Sequence, residues 1–344
     1  MSARPAGART RPLAAALILG LAGVGPPTHA LAQRSPSRPP FLRLGAEAGA
    51  GSVYDTNLER RHDGFQSWGW TAAAAANLRA QAGPASLSLG YRVEAHRFDA
   101  DERWNRVTRL ASAITGIRIS RVLLLDVTAE HVTGRASEDR EIGDEYALLP
   151  RLELRPDGRN RIRIRAGYRV RNYGDLGGRD ARNRLIGFDY RIGPSGGARV
   201  ELGSRYEINA TDDARNGFHR WTHRVRFNAP LATGTEIAFE LYQYSRTYPD
   251  RLLSMEAPTD LSDEGVDILA GYRDTGAAAG SNDAMTDQDL FPRHDQIWAP
   301  SIVLLRAAGP VEVQIAYQFE ARLSNDLRRG YTGHTTTVTT RVRY

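Results

Sequence analysis

The sequence predicts an all-β fold: a single-chain transmembrane antiparallel up-and-down β-barrel of about 14 strands. Three observations predict it. Apolar and polar residues alternate with period two over runs of about ten to thirteen residues. Such runs exceed the five or six residues of an ordinary soluble strand, and they suit a tilted strand that crosses a bilayer. Tight connections then alternate strictly with longer, charged ones, and the chain opens on an export signal.

Arg4, Arg9 and Arg11 form a positive start, Leu13 to Val24 an apolar stretch, and Thr28 to Ala32 a small-residue exit. Together they read as a signal peptide over 1–32, cleaved before Gln33. Residues 33–40, rich in proline, read as an extended leader, and 41–344 as the barrel. The chain has a formal net charge of +6 and a mean hydropathy of -0.46, which excludes a bundle of transmembrane helices. Its basic residues are all arginine, which most simply reflects a GC-rich genome, so a pI near 9.7 is weak grounds for a nucleic-acid partner and none is expected. Cysteine is absent, which removes disulfides, thiolate metal sites and thiol nucleophiles together.

The alternating runs fall at 41–51, 67–79, 85–97, 105–116, 121–133, 146–155, 161–173, 183–193, 199–210, 220–229, 235–247, 295–306, 311–324 and 333–344. Ile162, Ile164, Ala166, Tyr168 and Val170 show the period most clearly, and the run at 105–116 least. Tight turns follow the even runs: Gly83-Pro84, Pro156 to Asn160, Gly193 to Gly197, Pro230 to Gly234 and Ala307 to Pro310. An even strand number with this alternation puts both termini on the periplasmic side. The segments around Gly83, Asp157, Gly196 and Gly234 are therefore expected in the periplasm, and those around Ser137, Asp212 and Asp263 outside. Aromatic residues near run ends, Tyr54, Trp68, Trp70, Trp104, Tyr146, Tyr173, Trp221, Tyr248, Trp298 and Tyr331, are where interfacial girdles belong.

The last run, His334 to Tyr344, resembles the terminal strand of Gram-negative outer-membrane barrels, which ends in an aromatic read by the barrel assembly machinery. Tyr344 stands where Phe is more usual. Val53-Tyr-Asp-Thr-Asn57 is similar to a Tyr-Asp-x-Asn segment of barrels in surface lipoprotein assembly modifiers and exopolysaccharide-associated proteins. The helical-repeat domain of the lipoprotein modifiers is missing. The resemblance implies a porin-like protein of the bacterial outer membrane, with the lipid bilayer, lipopolysaccharide and the assembly machinery as partners.

Enzymatic motifs carry little. Gly193-Pro-Ser195-Gly-Gly197 matches a nucleophile elbow in letters, but alternating strands flank it where that chemistry needs a strand-to-helix turn. His219 and His223 are four apart, a metal pair on a helix; on a strand they stand roughly 13 Å apart. No catalytic residue, metal ligand or cofactor is assigned, and a serine–histidine hydrolase on neighbouring strands stays as a minor alternative.

The inner face carries arginine. The registers point Arg151, Arg155, Arg161, Arg163, Arg165, Arg169, Arg171, Arg191, Arg205, Arg224 and Arg226 inward, against Glu153, Asp189, Glu201 and Glu207. Later runs point Glu236, Glu240, Glu312 and Glu320 inward against Arg322. Two readings follow: a transverse field across a wet pore, or a lumen braced by ion pairs. The first makes the protein a passive diffusion channel for small hydrophilic or acidic solutes. The second fits a non-conducting barrel serving structurally or in surface polysaccharide or lipoprotein export. The acidic connection 248–295 is expected to fold inward, to hold divalent cations with its carboxylates, or to do neither; Leu261 to Tyr272 within it has the pattern of a short helix.

Overall fold

The computed structural model describes residues 41–58, 64–100, 102–136, 142–173, 180–194, 196–255, 272–274, 290–326 and 329–344. The expected signal peptide and leader lie outside these residues. The strands are β1 (Phe41–Asp55), β2 (Ser67–Ala82), β3 (Ala85–Phe98), β4 (Arg106–Arg118), β5 (Leu123–Ala136), β6 (Ile142–Leu154), β7 (Asn160–Asn172) and β8 (Ala181–Ile192). They continue with β9 (Arg199–Thr211), β10 (Phe218–Ala232), β11 (Thr235–Met255), the three-residue β12 (Tyr272–Asp274), β13 (Leu290–Ala308), β14 (Val311–Ser324) and β15 (Tyr331–Arg343). Short 3-10 turns at Glu102–Trp104 and Ala214–Asn216 are the helical elements among the described residues.

Each strand pairs antiparallel with the next along the chain, except that β11 passes over β12 to pair with β13, and β1 pairs with β15, so the sheet closes. Among the described strands, β12 alone stands outside the ring, on the tip of β11 at Leu253–Met255. The closed sheet thus has 14 strands and no free edge, the arrangement that satisfies every ladder group without water.

Turn chemistry explains the tight end. Gly83 and Gly309 have φ of 57° and 59°, each followed by proline in a two-residue connection. Positive φ at the first central position matches the twist of the flanking strands. Gly134, at φ 70°, sits in the irregularity between Val132 and Arg135, where a side chain would come within 2.1 Å of the Val107 carbonyl. The segments around Gly83, Asp157, Gly196 and Gly234 all lie at this tight end with both barrel termini, and Asp212 lies at the other. Ser137 and Asp263 are outside the described residues.

The strands outrun their sequence limits most at the long-loop end. β11 continues to Met255 and β13 begins at Leu290, so Asp250, Arg293 and Asp295 belong to strands rather than to the long connection. The stretch 256–271 that held the expected helix is outside the described residues, and Tyr272 opens β12.

One face of the wall is apolar and open. Leu44 is 75% exposed, Ile186 58% and Leu231 60%, with Phe188, Leu202, Val225, Phe239 and Ile315 on the same face. The other face holds the charges. Arg92 on β3 reaches Glu47 on β1 at 3.7 Å, and Arg199 on β9 reaches Glu236 on β11 at 3.0 Å, each across an intervening strand. Side chains converge on the concave side of a closed sheet and diverge on the convex side, so the charged face is the inner one. The aromatic residues divide accordingly. Trp68, Trp70, Tyr146, Trp221 and Trp298 are exposed on the outside, whereas Trp104, Tyr248 and Tyr331 are buried, which corrects their place in the girdle. Trp104 packs with Val53, Leu58 and Phe98, and Tyr248 lies opposite Arg293.

Candidate functional site: an arginine-lined inner wall

Residues directly opposite in an antiparallel ladder share a face, so register alone places the inner wall. Arg151 stands opposite Arg165, Glu153 opposite Arg163, Arg169 opposite Ala147 and Arg171 opposite Glu145. Across β8 and β9, Arg161 faces Arg191, Arg191 faces Glu201, and Gly187 faces both Arg165 and Arg205. On β10, Arg224 faces Gly203 and Arg226 faces Glu201 and Glu240. Arg155 follows the end of β6 and bonds Glu153. The same face carries Arg199 and Arg220, opposite Asn228 and Glu207.

The arginines bridge through shared carboxylates. Glu153 is 1% exposed and meets Arg163 at 2.7 Å and Arg161 at 3.5 Å. Glu145 takes Arg171 at 2.7 Å and Arg169 at 3.7 Å. Glu207, fully buried, takes Arg220 at 2.6 Å and Arg205 at 3.8 Å and also accepts from the Asn183 amide. Arg151 donates to Asp126 at 2.8 Å, Arg165 pairs with Asp189, and Arg224 lies 3.3 Å from Glu201. Bidentate-capable guanidinium groups suit this sharing, because one planar fork meets two acceptors where an ammonium offers a point charge. Between the arginine rows, Leu149 and Leu185 lie over Gly167, whose added Cβ would come within 2.6 Å of Leu149.

From β6 to β10 the inner face therefore carries thirteen arginines against Glu145, Glu153, Asp189, Glu201 and Glu207. Glu145 escapes the sequence reading because β6 starts at Ile142, ahead of the periodic run. Arg199 and Arg220 escape it because each opens a run, where the face is hardest to read; their side-chain parity was the available signal.

The opposite arc differs. Glu236, Glu240, Glu312 and Glu320 share the inner face with Arg322, as do Arg246, Arg293, Asp295, Arg341 and Arg343. Arg343 meets Glu312 at 2.9 Å, and Arg341 lies 3.8 Å from it. Glu320 accepts from the Tyr331 hydroxyl. Asp295 is fully buried and takes Arg293 at 2.8 Å, Arg322 at 2.5 Å and the Ser324 hydroxyl at 2.6 Å. Arg246 stands opposite Asp295, with its guanidinium 4.5 Å from the Phe218 ring centre and 5.2 Å from that of Tyr244. The long-loop end of this arc is thus packed with aromatic and guanidinium groups; Glu312 and Asp295 are held by arginines of the same arc, whereas Glu236 and Glu240 reach Arg199 and Arg226 at 3.0 and 3.6 Å.

On the outer face, His223 lies 3.2 Å from the Ser204 hydroxyl through Nδ1 and stacks beside Trp221. No third group holds the imidazole among the described residues, and ladder pairing uses the backbone N–H groups an oxyanion would need. Gly193, at φ 115°, leads into β9 rather than a helix, and Ser195 is outside the described residues. Tyr344 follows β15 and is 83% exposed; its N–H donates to the Ala46 carbonyl at 2.9 Å.

No protein-family model matches the chain, and neither does a curated protein. Among solved structures it is similar to the outer membrane channel DcaP of Acinetobacter baumannii, at 10% identity and a TM-score of 0.51, covering 89% of this chain and 97% of that one. An anion-selective porin from Comamonas acidovorans matches at 8% identity and a TM-score of 0.49, covering 89% and 100%. A bacterial polysaccharide outer membrane secretin matches at 10% identity and a TM-score of 0.47, covering 87% and 98%. At these identities the likeness is one of fold. By fold, then, the chain is a porin-like β-barrel of the outer-membrane type.

Proposed function

We propose that the protein is a passive diffusion channel of the bacterial outer membrane for small hydrophilic or acidic solutes. The observation that carries this reading is the excess of arginines on the inner face of β6 to β10: thirteen against five carboxylates, and still five in excess once Asp126, Glu236 and Glu240 of the flanking strands, which pair with Arg151, Arg199 and Arg226, are counted. Sharing a carboxylate between two guanidinium groups orders them without neutralising both, so a positive potential remains on one side of the lumen. A solute carboxylate entering there meets preorganised donors. In the same reading Tyr344 is the residue recognised by the assembly machinery, lipopolysaccharide surrounds the outer rim, and the acidic stretch 248–295 is a place for divalent cations.

The test is conductance of the refolded protein in a planar bilayer. Stable steps are expected, with reversal potentials in a salt gradient that favour anions. Replacing Arg161, Arg163 and Arg165 together with glutamine should move the reversal potential toward cations. That shift should shrink as the screening length falls from about 10 Å at 0.1 M salt to about 3 Å at 1 M. Absence of steps would point to the non-conducting barrel serving structurally or in export. Steps with unmoved selectivity would make the arginines braces only.

A further inference from the structure

We infer that Arg182 and Arg184 on the outer face of β8 form a docking site for a phosphorylated headgroup of the outer-leaflet lipid. This goes beyond conduction and rests on the membrane barrel alone.

The two arginines are exposed and alternate with Ala181, Asn183 and Leu185, which are buried on the inner face. Neither has an ion-pair or hydrogen-bond partner among the described residues, in contrast to the inner arginines just described. Their flanks are apolar. Arg182 stands between Val170 and Ala210, and Arg184 between Tyr168 and Ile208. A guanidinium set in such a wall is costly at the bilayer midplane and nearly free where headgroups begin, so depth decides what these residues meet.

Aromatic side chains give the depth. One step below Arg184, Ile186 stands opposite Tyr206, and Tyr206 opposite Trp221. The Tyr206 and Trp221 rings lie 4.8 Å apart on the outer face, and Trp221 is 50% exposed. Tyrosine and tryptophan settle at the boundary between hydrocarbon and headgroup. Arg184, and then Arg182, lie on the long-loop side of that row, at headgroup level in the leaflet that faces outward. Residues two apart on a strand are separated by about 7 Å, which lets both guanidinium groups reach one phosphate or two phosphates of one headgroup. The outward carboxylates nearby are Asp144 on β6, two strands away, Asp180 just before β8 and Asp212 just after β9; the Asp180 carboxylate accepts from the Tyr173 N–H, and among the described residues neither arginine forms an ion pair with any of them. The two adjacent guanidinium groups, their missing protein partners and their depth together fit a phosphorylated lipid.

The test measures binding of lipid A to the refolded full barrel in neutral detergent micelles, with dephosphorylated lipid A and inorganic phosphate as comparators. Arg182→Gln with Arg184→Gln should weaken lipid A binding about tenfold, the loss of charge-assisted bonds to one or two phosphate oxygens. Dephosphorylated lipid A should bind wild type as weakly as lipid A binds the variant, and millimolar inorganic phosphate should not compete. The lysine pair at the same positions should keep most of the affinity, which separates charge from any folding defect of the glutamine variant. Arg306→Gln, outward on β13 at the tight-turn end, should change nothing. Equal binding by all variants overturns the inference. So does effective competition by inorganic phosphate, which makes the pair a free-anion site. Unchanged lipid A binding with a shift in oligomeric state on sedimentation also overturns it, and makes the patch a contact between copies.

Discussion

Two arcs of the inner wall solve different problems. From β6 to β10, long arginines crowd around buried carboxylates. From β1 to β4, the same face is built from small residues, among them Gly49, Gly51, Ala73, Ala75 and Gly90. There, charges lie along the wall instead of projecting from it: an added Cβ at Gly49 would come within 2.8 Å of the Arg341 side chain. Glu47 spreads its interactions over Arg92 at 3.7 Å and Arg343 at 4.0 Å while its side chain stays 30% exposed. Glu207 is 0% exposed. A carboxylate held among guanidinium groups away from water is part of the structure, whereas one that keeps its hydration is nearly optional.

The largest effect expected from this contrast is on stability. Glu207→Ala strips two arginines of a buried partner and should lower unfolding stability by about 3 kcal/mol. Glu47→Ala, on the open arc, should lower it by less than about 1 kcal/mol. Equilibrium unfolding of both variants in lipid vesicles checks this. Similar losses would mean that the two arcs are hydrated alike.

A second, intermediate effect is on conduction. Ala73→Arg adds a long side chain to the small-residue arc, between Gly49 and Glu94. Single-channel conductance should fall by tens of per cent and selectivity should move further toward anions. Arg165→Ala, on the crowded arc, should do the opposite on both counts. A barrel in which neither substitution changes conductance does not pass ions along these walls.

The smallest effect belongs to the tight-turn end, outside the lipid. Asp157 accepts from the Asn160 side chain at 2.7 Å and from the Asn160 and Arg159 backbone N–H groups at 2.6 and 2.7 Å. Those bonds, the Asn160 amide first among them, hold its carboxyl below the usual aspartate range. The stabilisation is complete above the ordinary aspartate pKa and is lost as pH falls through the lowered one. Asp157→Ala should therefore reduce the melting temperature slightly at neutral pH. Variant and wild type should converge in acid, and a constant gap across pH would remove the ionised turn from the account.

Much of this was legible without coordinates. The period-two runs located all fourteen barrel strands because lipid on one side and water on the other impose alternation on every residue. The same alternation assigned Arg161 to Arg171 to one face, since a slip of one residue would carry the whole set to the lipid. Boundaries at the long-loop end were not legible: above the bilayer the constraint on alternation lapses, and β11 and β13 run on past Tyr248 and Asp295. The aromatic girdle was legible only in part, for tryptophan and tyrosine also pack inside a barrel mouth, as Trp104 and Tyr331 do.

What the sequence determined by itself was the architecture and the strand number, because both follow from a periodicity that neighbouring residues enforce on one another. What only the tertiary structure decided was which charges meet. Glu145 with Arg171, Glu207 with Arg220 and Asp295 with Arg322 lie on different strands. Their encounter depends on the stagger between strands and on the convergence of side chains inside a closed sheet, and neither quantity is written in any single run of residues.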